Sequence, residues 1–157
     1  MSLCDATDEI PEFTLAGKRF PAKVVSCYDG DTFHAVIPFR EHEFLKFQCR
    51  MLGYDSPEMK PLKSAADRDV EKAQALRAKH ALLSQLCDGM PAMTGTLTDK
   101  ELNACLKSNK KVITLECGEF DKYGRVLVKV INTDGSSVND WMIGAGHGVK
   151  YDGRKRV

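Results

Sequence analysis

The sequence predicts an α+β domain or a small barrel, and three observations carry that prediction. Segments rich in β-branched and aromatic residues lie on both sides of one long helical stretch. The first two of them flank the dipeptide Asp29-Gly30, and the third alternates polar and apolar residues over residues 44–52. A chain of 157 residues is enough for one compact core, and 43% hydrophobic with 29% charged residues excludes a mainly disordered polymer. No apolar run reaches the roughly 18 residues of a membrane-spanning helix, so no membrane partner is expected.

Residues 1–20 read as an amino-terminal arm, loosely docked, because Pro11 and Gly17 interrupt any periodicity. Residues 1–16 hold four of the 22 acids and none of the 23 bases, so residues 17–157 have a surplus of five positive charges behind an overall net charge of +1. That surplus permits a polyanionic partner without requiring one. Residues 22–28 and 32–37 form two strands around Asp29-Gly30, a strong hairpin signal because glycine tolerates positive φ. Along residues 44–52, Phe44, Lys46, Gln48 and Arg50 alternate with Leu45, Phe47, Cys49 and Met51. Arg50 should therefore face away from the apolar set. Pro57 ends that strand and opens a loop.

Ser64, with Asp67 three residues on, begins a long helix. Val70, Ala73, Leu76, Leu83 and Leu86 recur at helical spacing to about Cys87, before Gly89 and Pro91 close it. Residues 88–109 read as an inserted excursion containing a short helix capped by Thr98 and Glu101. Residues 111–117 and 124–132 are the fourth and fifth strands, and 138–143 a short helix. The organisation is one domain over residues 21–153 and a basic tail over 154–157, where Arg154, Lys155 and Arg156 add nonspecific attraction to phosphates. Six cysteines with no Cys-x-x-Cys spacing, and an acidic rather than basic and apolar beginning, favour a reduced, intracellular chain.

Three clusters carry chemistry: Asp29-Gly30-Asp31-Thr32 at the hairpin, Arg50 followed by Asp55-Ser56-Pro57-Glu58, and Asp121-Lys122-Tyr123-Gly124-Arg125. Each alone reads as turn chemistry, an ion pair or a solvated loop. Together, in this order, they are much less readily ascribed to chance: carboxylates can hold a hard cation, guanidinium groups offer planar paired donors, and a further carboxylate can take a proton from water. Asp55 and Glu58 stand three residues apart around Pro57, so one turn can aim both at a single centre. No Cys, Ser or His is placed as a covalent nucleophile, and His147 and Trp141 read as packing or loop residues.

The stretches VVSCYDGDTF, FQCRMLGYDSPE and FDKYGRVLV, with the later DGSSVNDWMIGAGHG, resemble the staphylococcal nuclease (thermonuclease-like) family over roughly residues 20–151, apart from 88–109. The resemblance implies a five-stranded barrel of the oligonucleotide-binding (OB) fold, with one long helix and short ones. It implies that Asp31, Asp55 and the main-chain carbonyl of Ser56 hold calcium; magnesium and manganese suit the same oxygen ligands. Glu58 would be the general base, Arg50 and Arg125 would grip the scissile phosphate, and Lys122, Tyr123 and Tyr151 would contact the nucleic acid. The implied reaction cuts the bond to the 5′ oxygen of DNA or RNA and leaves a 3′-phosphate, and a monomer is expected. Ser56 replaces the family's usual Thr, the excursion at 88–109 is longer, and the family's last long helix is expected to be missing. The alternative is a catalytically silent module of this kind that binds nucleic acid or a protein. An unrelated barrel whose motifs are only turns is a third reading.

Overall fold

The computed structural model describes residues 1–58, 65–90 and 98–150. Five strands close a barrel in the order β1 (Arg19–Cys27), β2 (Thr32–Arg40), β3 (Glu43–Met51), β6 (Val126–Ile131) and β5 (Ile113–Phe120), with β5 returning to β1. All neighbours are antiparallel except β3 and β6, which run parallel in the register Cys49↔Val126 and Met51↔Val128. Mixed pairing in a closed five-stranded barrel is the OB-fold arrangement expected from the sequence. Two two-residue strands that the sequence does not announce, β4 (Tyr54–Asp55) and β7 (Val149–Lys150), pair beside the barrel. The helices are α1 (Ala65–Leu86), α2 (Asp99–Ser108) and α3 (Val138–Gly144). Among the described residues no helix is long and apolar enough to cross a membrane.

The alternation read along β3 holds: Cys49 and Met51 are buried in the core, while Lys46 and Gln48 are exposed on the opposite face. Val24, Phe33, Ile37, Ile113, Leu115, Val128 and Val130 fill the barrel from the other strands. Thr98 and Glu101 form the expected capping box on α2, each side chain reaching the other's backbone. Asn139, at the head of α3, is buried and stitches that helix to the barrel. Its Oδ1 accepts from Val130 N at 2.9 Å and its Nδ2 donates to Leu52 O at 2.8 Å.

Three expectations need correction. The arm is anchored along its second half. Leu15 is 1% exposed in the core, Gly17 N donates to Cys117 O, and β1 already begins at Arg19. The apolar stripe of α1 is Ala75, Ala78, Leu82, Leu83 and Leu86, whereas Val70 and Ala73 face solvent. Among the described side chains of α1, apolar burial begins at Ala75, so the core is met by the middle and later turns. Gly30 is not in a positive-φ conformation. A Cβ there would lie 2.7 Å from Ala78 Cβ and 2.8 Å from Ser56 Cβ, so close packing under α1, not turn freedom, excludes a side chain. Ser64, assigned above as the cap of α1, and the tail 154–157 lie outside the described residues.

Candidate active site

The site is built where the β1–β2 hairpin, the end of β3 and the turn before β6 meet. The hairpin is closed by Tyr28 N donating to Thr32 O, and Asp29 Oδ1 accepts from Asp31 N at 3.0 Å. This local turn points Asp31 across to the neighbouring strand end. Its Oδ2 accepts from Ser56 N at 2.9 Å and its Oδ1 from Thr32 Oγ1 at 3.0 Å. Tyr54, fully buried, reaches back to donate its hydroxyl to Gly30 O at 2.7 Å. One phenol therefore fixes the hairpin to the strand end that carries Asp55, and burial holds its proton on by raising the pKa. The sequence reading did not single out Tyr54. Its position directly before Asp55 was the available signal.

Arg50 sits between the acids. Nη1 pairs with Asp31 Oδ2 at 2.9 Å and also donates to Tyr54 O at 3.0 Å and Met51 O at 3.3 Å, while Nη2 pairs with Asp55 Oδ1. The side chain is 13% exposed. Of its five N–H donors, Nε–H and one hydrogen of Nη2 have no acceptor among the described residues. Arg125 is held by Asp121, whose Oδ2 accepts from Arg125 Nε at 2.7 Å and whose Oδ1 accepts from the backbone N–H groups of Tyr123 and Arg125. Burial works against that carboxylate, but the hydrogen bonds from Arg125 and Tyr123 outweigh it and hold the pKa below its ordinary value. Both Nη groups of Arg125 stay free of acceptors among the described residues. Asp121 belonged to the third cluster but had no role assigned; it positions Arg125.

Asp31, Arg50, Asp55, Ser56, Glu58 and Arg125 line a single cleft of about 470 Å³. Glu58 is exposed at its rim. Lys122 and Tyr123 stand just outside it; Lys122 Nζ and Arg125 Cζ each lie 5.2 Å from the Tyr123 ring centre, and Tyr123 is largely exposed. Tyr151 lies outside the described residues. A larger hollow of about 800 Å³ shares Asp55, but α1 and residues 146–149 form most of its wall. His147 on that wall has its pKa lowered by burial and by the nearby charge of Arg77.

The cleft is lined by four carboxylates, from Asp29, Asp31, Asp55 and Glu58, against two guanidinium groups. Burial and the neighbouring Asp31 push the Asp29 carboxyl up to about 7. Crowded acids with too few bases, all presenting oxygen, fit a hard divalent cation. Asp55 Oδ2 has no partner among the described residues, and Ser56 Oγ is buried without one. Among the described residues, however, no three His, Cys, Asp or Glu side chains are grouped to hold a metal ion, and Arg50 occupies one oxygen of Asp31 and one of Asp55. No family model matches the sequence, and no curated protein does.

Proposed function

We propose that this chain is a nuclease of the staphylococcal nuclease type, hydrolysing phosphodiester bonds of DNA or RNA with calcium or a similar divalent cation. The observation that carries the reading is the meeting of Asp31, Arg50, Asp55, Glu58 and Arg125, from three distant stretches, on one cleft. Asp31, Asp55 and the Ser56 carbonyl would hold the cation, which supplies charge neutralisation for the phosphate. The free N–H groups of Arg50 and Arg125 face the phosphate oxygens, where negative charge grows on the way to the transition state. Glu58 takes the proton of a water whose oxygen forms the new bond to phosphorus. The bond to the 5′ oxygen breaks, that oxygen gains a proton, and the phosphate stays on the 3′ side. Asp121 acts through Arg125 by fixing its orientation.

A second reading has an observation of its own. Arg50 is ion-paired to both acids, so its charge is already engaged within the chain, as suits a module that binds without cutting. Digestion of plasmid and RNA across divalent ions, with end-group analysis, separates the two. Cutting that needs calcium, stops with chelator and leaves 3′-phosphates supports the nuclease. Binding without any cutting supports the silent module.

A further inference from the structure

The turn that carries Asp55 is held from outside the barrel, by α3 and the residues that follow it. At one end of the turn, Asn139 of α3 donates from Nδ2 to Leu52 O at 2.8 Å. At the other end β4 pairs with β7, Tyr54 opposite Lys150 and Asp55 opposite Val149. The segment between α3 and β7 is short and tied down. Gly146 N donates to Ile143 O at 3.1 Å and His147 N to Met142 O at 3.0 Å. Gly148 comes next, and its backbone lies against the ring of Tyr54. A Cβ on Gly148 would lie 2.8 Å from Tyr54 Cγ and closer still to Cδ2, inside the distance that real side chains keep. Gly148 is not in a positive-φ conformation, so contact with the ring, not backbone freedom, excludes a side chain there.

Tyr54 cannot yield without disturbing the cleft. It is fully buried, its hydroxyl donates to Gly30 O at 2.7 Å, and its carbonyl accepts from Arg50 Nη1 at 3.0 Å. Pushing the ring away from Gly148 therefore moves a residue bonded to the hairpin on one side and to Arg50 on the other. Asp55 and Ser56 follow directly, and Ser56 N donates to Asp31 Oδ2 at 2.9 Å. We infer that Gly148 is a positioning residue of the cleft: by letting β7 close on the Tyr54 ring, it sets Asp55 and Ser56 against Asp31 and Arg50. Residues 146–150 line no part of that cleft, so they act on it through Tyr54 and the β4–β7 pairing. The inference rests on the phosphodiesterase reading for its kinetic consequence, while the placement of Ser56 tests it without any cutting.

The test compares the full chain as wild type, Gly148→Ala, Tyr54→Leu and the double variant. Hydrogen exchange at single amides is one readout, and steady-state cleavage of single-stranded DNA in calcium is the other. Gly148→Ala should speed exchange at the Ser56 N–H at least about tenfold while the amides of β2 and β3 keep wild-type protection, as a local opening requires. Where cutting occurs, kcat should fall about 10–10²-fold, the scale for a misplacement of roughly 1 Å, with KM within about threefold of wild type. Removing the ring removes the obstacle. In the Tyr54→Leu background, Gly148→Ala should therefore alter kcat and Ser56 exchange by less than about twofold. Should Gly148→Ala alone fail to fold, the double variant should recover the fold; a double variant that fails as well overturns the inference. So does wild-type Ser56 exchange in Gly148→Ala, a uniform loss of protection across the barrel, or an equal effect in both backgrounds. Wild type that never cuts, with Ser56 loosened by Gly148→Ala, overturns the catalytic reading and leaves the positioning role standing.

Discussion

Replacing Arg50 by Lys keeps the charge and removes the fork. Arg50 reaches Asp31 Oδ2, Tyr54 O and Met51 O through Nη1 and Asp55 through Nη2, in a place where its side chain is 13% exposed. An ammonium has three N–H groups on a single point and a shorter stem, so it cannot serve all four acceptors or span the two carboxylates as the planar fork does. At least one carboxylate then loses a charge-assisted hydrogen bond worth about 1.5–3 kcal/mol. Removing one partner of a buried pair and leaving the other charge unpaired costs about 3–5 kcal/mol, so the Lys variant, which keeps the charge, should fall below that, at about 2 kcal/mol. The same change takes away the donors left over for phosphate, which should slow turnover by about 10²–10³-fold, the usual scale for one preorganised donor. Urea unfolding followed through Trp141, the only tryptophan in the chain, reads the first effect, and initial rates on single-stranded DNA read the second. A Lys variant within about 0.5 kcal/mol of wild type and within threefold of its rate would refute the argument that the fork geometry matters.

Other consequences follow from the same geometry. Glu58→Gln should slow cleavage at least about 10²-fold while leaving the urea midpoint in place, because the side chain is exposed and carries no packing; unchanged turnover removes Glu58 as the base. Gly30→Ala should destabilise the fold by about 1–3 kcal/mol, since the new methyl meets Ala78 Cβ at 2.7 Å and Ser56 Cβ at 2.8 Å, and a neutral result in thermal melts would show that the hairpin gives way freely. Asp121 has a folded pKa below its ordinary 3.8, so the stability it contributes is present above that value and disappears as pH falls through the lowered one. Asp121→Asn should therefore be less stable than wild type near neutrality, with the difference closing in acid; a gap that persists at pH 2 contradicts that sign.

What the sequence discloses and what it conceals divide along contact range. The hairpin at Asp29-Gly30, the two faces of β3 and the Thr98–Glu101 box are local patterns, each decided within a few residues, and each is seen in the folded chain. Asp31, Arg50, Asp55, Glu58 and Arg125, drawn from the separated motifs, also line one cleft. Concealed features depend on partners far along the chain. Gly30 is small because Ala78 lies over it, Tyr54 matters because its hydroxyl finds Gly30 O, and Leu15 is core because β5 receives the segment around Gly17. The stripe of α1 was misplaced for the same reason: helical spacing says that a face exists, while the barrel decides which turns meet it. Arg50 was read as a hand for phosphate with an ion pair as the plainer alternative, and that it pairs with Asp31 and Asp55 at once depends on the strand end folding back.

The one parallel seam of the barrel has a consequence for biosynthesis. Cys49 and Val126, partners across that seam, are 77 residues apart along the polypeptide. At about 5–20 residues per second, a ribosome delivers the second of them roughly 4–15 s after the first. Throughout that interval the nascent chain carries a strand with one raw flank, able to recruit any other extended peptide nearby. A fragment that stops before residue 126 keeps that flank permanently, and adding the missing carboxyl-terminal piece in trans is the direct way to heal it.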